Sequence, residues 1–385
     1  MRAYALSAAL SFTVFVGLVV AMNFGIDAYG IYRPQNLEMA RAVSNYVARL
    51  RASDAGLLFV APERSVKIEL ARQTAADCFV IGSSRAMQID ELTAPQIFSR
   101  CKRSANLAVS GGAFEDFVLM AGVLAERRGS STIYVDASPW MLRRNADTRW
   151  TDHRTLYDRA RFIFGLPMQG SRAPMVDAKL LNLFNADYAL YNIRSVLALR
   201  RNALNAPLPG SVVPNDARQA ADEDAITLSN GRHVYPRKSA PIAAVAAGAV
   251  GDERYKLEQP AIDPVVAAEF ETVVRGLIQR GSRVVLLLAP YAPNAMSCTI
   301  AKLCETLARV ETCVRELATR VRVDVIGSYD PRASRLTRDD FMDGLHLTTQ
   351  GLHKLHVIEG NPWAAGQGNA DASGHAGLTP RSCTS

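Results

Sequence analysis

The chain has 385 residues, 49% hydrophobic and 21% charged, with 25 Gly and 18 Pro, a composition that excludes a disordered, collagen-like or purely coiled-coil protein. Its length suits one large domain or two smaller ones. The net charge of +7 rests on 44 basic residues, only seven of them Lys, scattered so that Arg127-Arg128, Arg143-Arg144 and Arg200-Arg201 are the densest groupings. No five-residue basic run, zinc-finger spacing or RNA-binding aromatic signature accompanies them, which argues against a nucleic-acid partner.

Ala3 to Ile26 is a run of 24 uncharged residues, and about 20 suffice for a helix to cross a bilayer. A cleaved signal peptide has a shorter apolar core and a small-x-small cleavage site. Here Ala21 is followed by Met22-Asn23-Phe24, so the expectation is an uncleaved transmembrane signal anchor over residues 1–26. Arg2 and the terminal amine precede it, so the positive-inside rule puts the N-terminus in the cytoplasm and the body outside.

Residues 27–70 read as a polar, partly helical neck. Beyond it, short apolar strands alternate with helical patterns: strands at Asp77–Ile81, Ala105–Val109 and Ser131–Asp136, with a helix from Phe114 to Arg127 before the third. A helix from Val265 to Arg280 leads to the strand Arg283–Ala289, and a helix from Cys298 to Arg320 leads to a fifth strand, Val321–Ile326. This alternation predicts an α/β fold, a three-layer flavodoxin-like parallel sheet of about five strands with helices on both faces. Ligands of such sheets bind at the carboxyl ends of the strands. Residues 145–262 break the alternation and read as a large cap insertion, helical to about 205 and then rich in Pro, Ala, Gly and Asp. Residues 71–358 thus form the domain with its cap, and 359–385 a disordered tail.

Six cysteines fit an exported body as well as they fit buried thiols. Cys78 and Cys101 precede strands that, if adjacent and parallel, start at one sheet edge within bridging reach. Cys298 pairs plausibly with Cys304 or Cys313, whereas Cys304 and Cys313 lie about 13 Å apart along a helix. Cys383 is expected to stay unpaired. None has metal-ligand spacing, and no metal or cofactor is expected.

Three motifs carry candidate chemistry. In Gly82-Ser83-Ser84-Arg85 a serine at a strand-to-helix turn is either a helix N-cap or a nucleophile whose backbone N–H faces an oxyanion. It does not match G-x-S-x-G, since Ala86 stands at the second Gly. In Asn106-Leu-Ala-Val-Ser110-Gly111-Gly112 a glycine either serves the turn or offers its N–H to a bound oxygen. In Asp343-Gly-Leu-His346 the carboxylate is placed to orient an imidazole, the alternative being a plain turn with a surface His. His353 and His356 read as surface residues of the last helix.

The order of these motifs resembles the SGNH/GDSL hydrolase superfamily, in particular the membrane-anchored periplasmic SGNH-like proteins of polysaccharide O-acetylation, over roughly residues 75–140 and 280–357. The resemblance implies Ser84 as nucleophile, with Ser83 where Asp is usual, and Asp343 and His346 completing a catalytic triad. It implies Ser84 and Gly111 as oxyanion donors, with Asn106 heading the second block and Arg85 and Asn106 beside the substrate. The third block usually supplies an Asn, and Val135-Asp136-Ala-Ser-Pro-Trp140 has none, while Asn145 follows off-pattern. The function implied is an exported serine esterase or O-acyltransferase acting on an acylated carbohydrate or other small ester. It would sit in the inner membrane with its body in the periplasm, and could work beside a membrane acyltransferase. The alternative is an inactive glycan-binding or assembly subunit of the same fold. Neither G-x-G-x-x-G nor G-x-x-x-x-G-K-[ST] is present, which argues against nucleotide binding.

Overall fold

A computed structural model describes residues 2–26, 55–58, 63–127, 129–143, 147, 149–167, a few positions between 183 and 193, 212–214, 226–235, 262–293, 303–358 and 362. Helix α1 covers Arg2–Ile26, and the Asn23 side chain donates to the Leu183 carbonyl at 2.9 Å. The transmembrane role expected of this segment finds no support there: among the described residues no helix is long and apolar enough to cross a membrane.

Strand β1 (Ala55–Leu58) and helix α2 (Glu63–Gln73) follow. β1 and most of α2 lie in the stretch expected to be a neck, yet α2 buries Val66, Ile68, Leu70 and Ala71, so it belongs to the body. Next come β2 (Cys78–Ile81), β3 (Ser104–Asn106), α3 (Phe114–Ala125), β4 (Thr132–Asp136) and α4 (Arg154–Ile163). Three short strands, β5 (Val212–Pro214), β6 (Ile226–Leu228) and β7 (His233–Val234), precede α5 (Pro264–Gln279). Then β8 (Arg283–Leu288), α6 (Leu303–Val321), β9 (Asp324–Gly327) and α7 (Thr349–His353) complete the body.

The main sheet is parallel, in the order β3-β2-β4-β8-β9. Counting only its own strands along the chain, that is 2-1-3-4-5, the order of flavodoxin-like doubly wound sheets, whose topological switch point lies between the first and third strands. The five expected strands are all present, with shifted ends. The second stops early because Asn106 turns the chain, its side-chain oxygen accepting from the Ala108 N–H at 3.0 Å. The fifth starts late because α6 runs on to Val321, and the chain leaves it through Arg322 at a left-handed φ of 59°.

Alternate strand residues feed two cores. Phe79, Ile81, Ile133, Val135, Leu286 and Leu288 pack against α2 to α6. Val80, Tyr134, Val285 and Leu287 pack instead against Met87, Ile97, Phe98, Phe341, Leu347 and Leu352. The second face is therefore covered by turns around 84–98 and 336–352 and the short α7, not by the layer of long helices expected. Local side-chain bonds favour turns there: Asp90 Oδ1 accepts from the Leu92 and Thr93 N–H groups.

The expected cap divides. Helix α4 belongs to the body, since Arg161 on α4 pairs with Glu269 on α5 at 2.6 Å and Tyr157 and Ala160 join the core. Strands β5, β6 and β7 join β1 in a second sheet, order β5-β1-β6-β7, antiparallel throughout. Cys78 and Cys101 form a disulfide with Cα atoms 5.8 Å apart. Cys304 and Cys313 each also take part in a disulfide. Cys298, Cys383 and all of 359–385 except 362 lie outside the described residues.

Candidate active site

Strand β2 ends at Ile81, and after Gly82 the chain enters a short 3-10 turn, Ser84–Ala86, at the switch point of the sheet. Ser83 is its N-cap, the side-chain oxygen accepting from the Arg85 N–H at 3.3 Å. Ser83 also donates to Asp136 Oδ2 at 2.6 Å, and its backbone N–H reaches the same oxygen at 3.1 Å. Ser138 Oγ donates to that oxygen at 2.8 Å. The carboxylate at the end of β4 therefore holds the turn from beneath, and the capping role falls to Ser83, which leaves Ser84 free of it.

The Ser84 hydroxyl lies 2.9 Å from His346 Nε2, and His346 Nδ1 lies 2.7 Å from Asp343 Oδ2. Asp343 Oδ1 accepts from the Leu345 and His346 N–H groups at 2.7 and 2.8 Å, so the turn that carries the imidazole also fixes the carboxylate. Burial opposes ionisation of Asp343, but the hydrogen bond and charge of His346 and those two N–H groups outweigh it and hold the carboxyl below its ordinary range. The Met342 N–H donates to the His346 carbonyl at 2.8 Å, closing the turn. All three side chains are part-buried, with His346 and Asp343 17% and 23% exposed.

The second motif adjoins the first. The Val109 N–H donates to the Gly82 carbonyl at 3.0 Å, and a Cβ on Gly112 would fall 2.3 Å from that carbonyl oxygen and 3.1 Å from Ser83 Cα. Only glycine permits this approach. Gly111 has φ 61°, and among the described residues neither its N–H nor that of Ser84 has a hydrogen-bond acceptor. The Ser110 N–H donates to Glu63 Oε2 at 2.8 Å, tying the turn to α2.

Two residues expected beside the substrate are not there. Arg85 is buried, its guanidinium 4.1 Å from the Tyr291 ring centroid and donating to the Ala289 and Pro290 carbonyls. Asn106 is fully buried and donates to the Ala86 and Ile89 carbonyls at 2.7 and 2.9 Å. Both point inward because each satisfies backbone carbonyls of the turns behind Ser84, so both support the site and neither faces it. Asn145 lies outside the described residues, and His353 and His356 are exposed.

Asp136, Glu63 and Tyr235 were not foreseen. Asp136 had a signal, its place at the carboxyl end of a central strand. Tyr235 and Glu63 had none: Tyr235 lies in a segment with little periodicity, and Glu63 in the stretch expected to be a neck. The Tyr235 ring sits 5.4 Å from the His346 ring, and its hydroxyl donates to the Ser84 carbonyl at 3.4 Å. No family model matches the chain, and no curated protein matches it either.

Proposed function

We propose that the protein is an exported serine esterase or O-acyltransferase acting on an acetyl or similar acyl ester of a carbohydrate. The observation that carries this reading is the unbroken hydrogen-bonded chain from Ser84 through His346 to Asp343. His346 takes the Ser84 proton as the hydroxyl oxygen attacks the ester carbonyl, and Asp343 stabilises the imidazolium. The N–H groups of Ser84 and Gly111 hold the oxyanion. Collapse expels the alcohol, protonated by His346, and leaves the acyl group on Ser84. Water or a sugar hydroxyl, deprotonated by His346, then takes that group and frees the serine. Resemblance of the three motifs to SGNH/GDSL hydrolases supports the same assignment.

Disulfide bonding of Cys78, Cys101, Cys304 and Cys313 supports an oxidising compartment. The uncharged run from Ala3 to Ile26 in the sequence supports a membrane tether. A membrane acyltransferase would then be a fitting source of acyl groups. The test is hydrolysis of a small aryl acetate by the purified full-length protein. The reading expects turnover that Ser84→Ala abolishes; equal rates for the two proteins would remove the catalytic claim.

One observation favours the second reading, a glycan-binding or assembly subunit without turnover: the segment that follows the third strand, where the family supplies an Asn donor, carries no Asn, and its Asp136 is a buried acceptor engaged with Ser83 and Ser138. That reading expects polymer binding that survives Ser84→Ala and His346→Ala.

A further inference from the structure

The hairpin of β6 and β7, at the edge of the second sheet, packs its tip against β3 of the parallel sheet beside the catalytic turn. Five contacts pin it there. The Asn106 N–H donates to the Asn230 carbonyl at 2.7 Å, and the His233 N–H to the Met87 carbonyl at 2.8 Å. Asn230 Nδ2 donates to Asp90 Oδ2 at 3.0 Å, and Arg232 pairs with that carboxylate at 2.6 Å. Lys67, almost fully buried, donates to the Asn106 carbonyl at 2.8 Å and to the Gly231 carbonyl. Gly231 has φ 84°, and a Cβ there would fall 2.2 Å from the Asn106 carbonyl oxygen, so the tip lies flat against β3 only as glycine.

This strap carries Tyr235, the residue after β7, whose ring lies against the His346 imidazole and whose hydroxyl bonds the Ser84 carbonyl. His233 backs Tyr235 edge-on at 4.6 Å, with its Nδ1 3.3 Å from Thr227 Oγ1. Burial pulls the His233 imidazole down to about 4, so it packs as a neutral ring, and burial pushes the Tyr235 phenol up, so its hydroxyl keeps the proton it donates.

We infer that Tyr235 is a positioning residue for the catalytic pair, delivered by the 226–235 strap: it holds the His346 ring in plane to accept the Ser84 proton. The inference deepens the serine-hydrolase reading and rests on it for its kinetic consequence. Its geometric content stands apart, because the strap acts on an imidazole whether or not turnover follows.

The experiment compares full-length wild type, Tyr235→Ala, Tyr235→Phe and Ser84→Ala. Aryl acetate kinetics are read together with the His346 ring-nitrogen resonances, assigned by difference from His346→Ala. Loss of the ring is expected to move those resonances and to lower kcat between about 10- and 100-fold, with KM within about twofold. Tyr235→Phe keeps the ring and is expected to restore kcat to within about fivefold. His346 resonances unchanged in Tyr235→Ala overturn the inference, whatever the rates. Should wild type turn over no faster than Ser84→Ala while those resonances move, the positioning stands and the hydrolase reading falls.

Discussion

Ser83 and Ser84 share one short turn, yet their hydroxyls bond different partners: Ser83 reaches Asp136 and Ser138, while Ser84 reaches His346. The difference follows from position. The residue preceding the 3-10 turn is extended and caps it, and the next residue projects from the first turn over the sheet edge. Asp343 gives the sharpest residue-scale prediction. In Asp343→Asn the side-chain oxygen can keep its bonds to the Leu345 and His346 N–H groups, while the amide group replaces the acceptor facing Nδ1. An amide donor there forces the imidazole proton onto Nε2, where it can no longer accept from Ser84. Aryl acetate hydrolysis should fall on the order of 10³- to 10⁴-fold with the fold intact by thermal melting. A loss of only a few-fold would mean that Asp343 does not orient the imidazole.

At the scale of elements, the connection between β2 and β3 carries Ser84, and the Cys78–Cys101 bridge closes that connection at its base. A loop of this size, 23 residues apart in sequence, stabilises by about 3 kcal/mol through chain entropy. Replacing both cysteines by Ala should lower the unfolding free energy in denaturant by about that amount, and a change below about 1 kcal/mol would show that the turn's own bonds to Asp136 suffice without the bridge. The bridge was legible because two apolar runs each begin just beyond a cysteine, and strand pairing sets Cys78 opposite Ser104. The hairpin at 226–235 was not legible. Its strands have three and two residues, too short for an alternating pattern to register, and its cohesion comes from tertiary bonds to Asp90, Asn106 and Lys67. β1 was hidden too, since its partners lie more than 150 residues away in sequence.

For the whole molecule, a topological rule brings distant segments together: parallel strands present their carboxyl ends on one rim, so whatever follows β2, β3 and β9 meets there. That rule, with the order of the motifs, made the grouping of Ser84 with the Asp343–His346 turn legible, since Ser84, Gly111 and that turn each follow a strand-like run. It did not foretell which way Arg85 and Asn106 point, because inward orientation depends on the carbonyls of Ala86, Ile89, Ala289 and Pro290, whose need for donors appears only once the turns are folded. It also did not foretell that α4 and α2 would join the body, since burial of Tyr157 or Ile68 is set by neighbours far along the chain. The central claim is that Ser84 is a nucleophile made reactive by His346. Its most direct measurement is the mass of the full-length protein after exposure to a fluorophosphonate, followed by peptide mapping. One adduct on the peptide ending at Arg85, absent when His346 is replaced by Ala, is the predicted result; an unlabelled protein, or a label that survives the loss of His346, would contradict it.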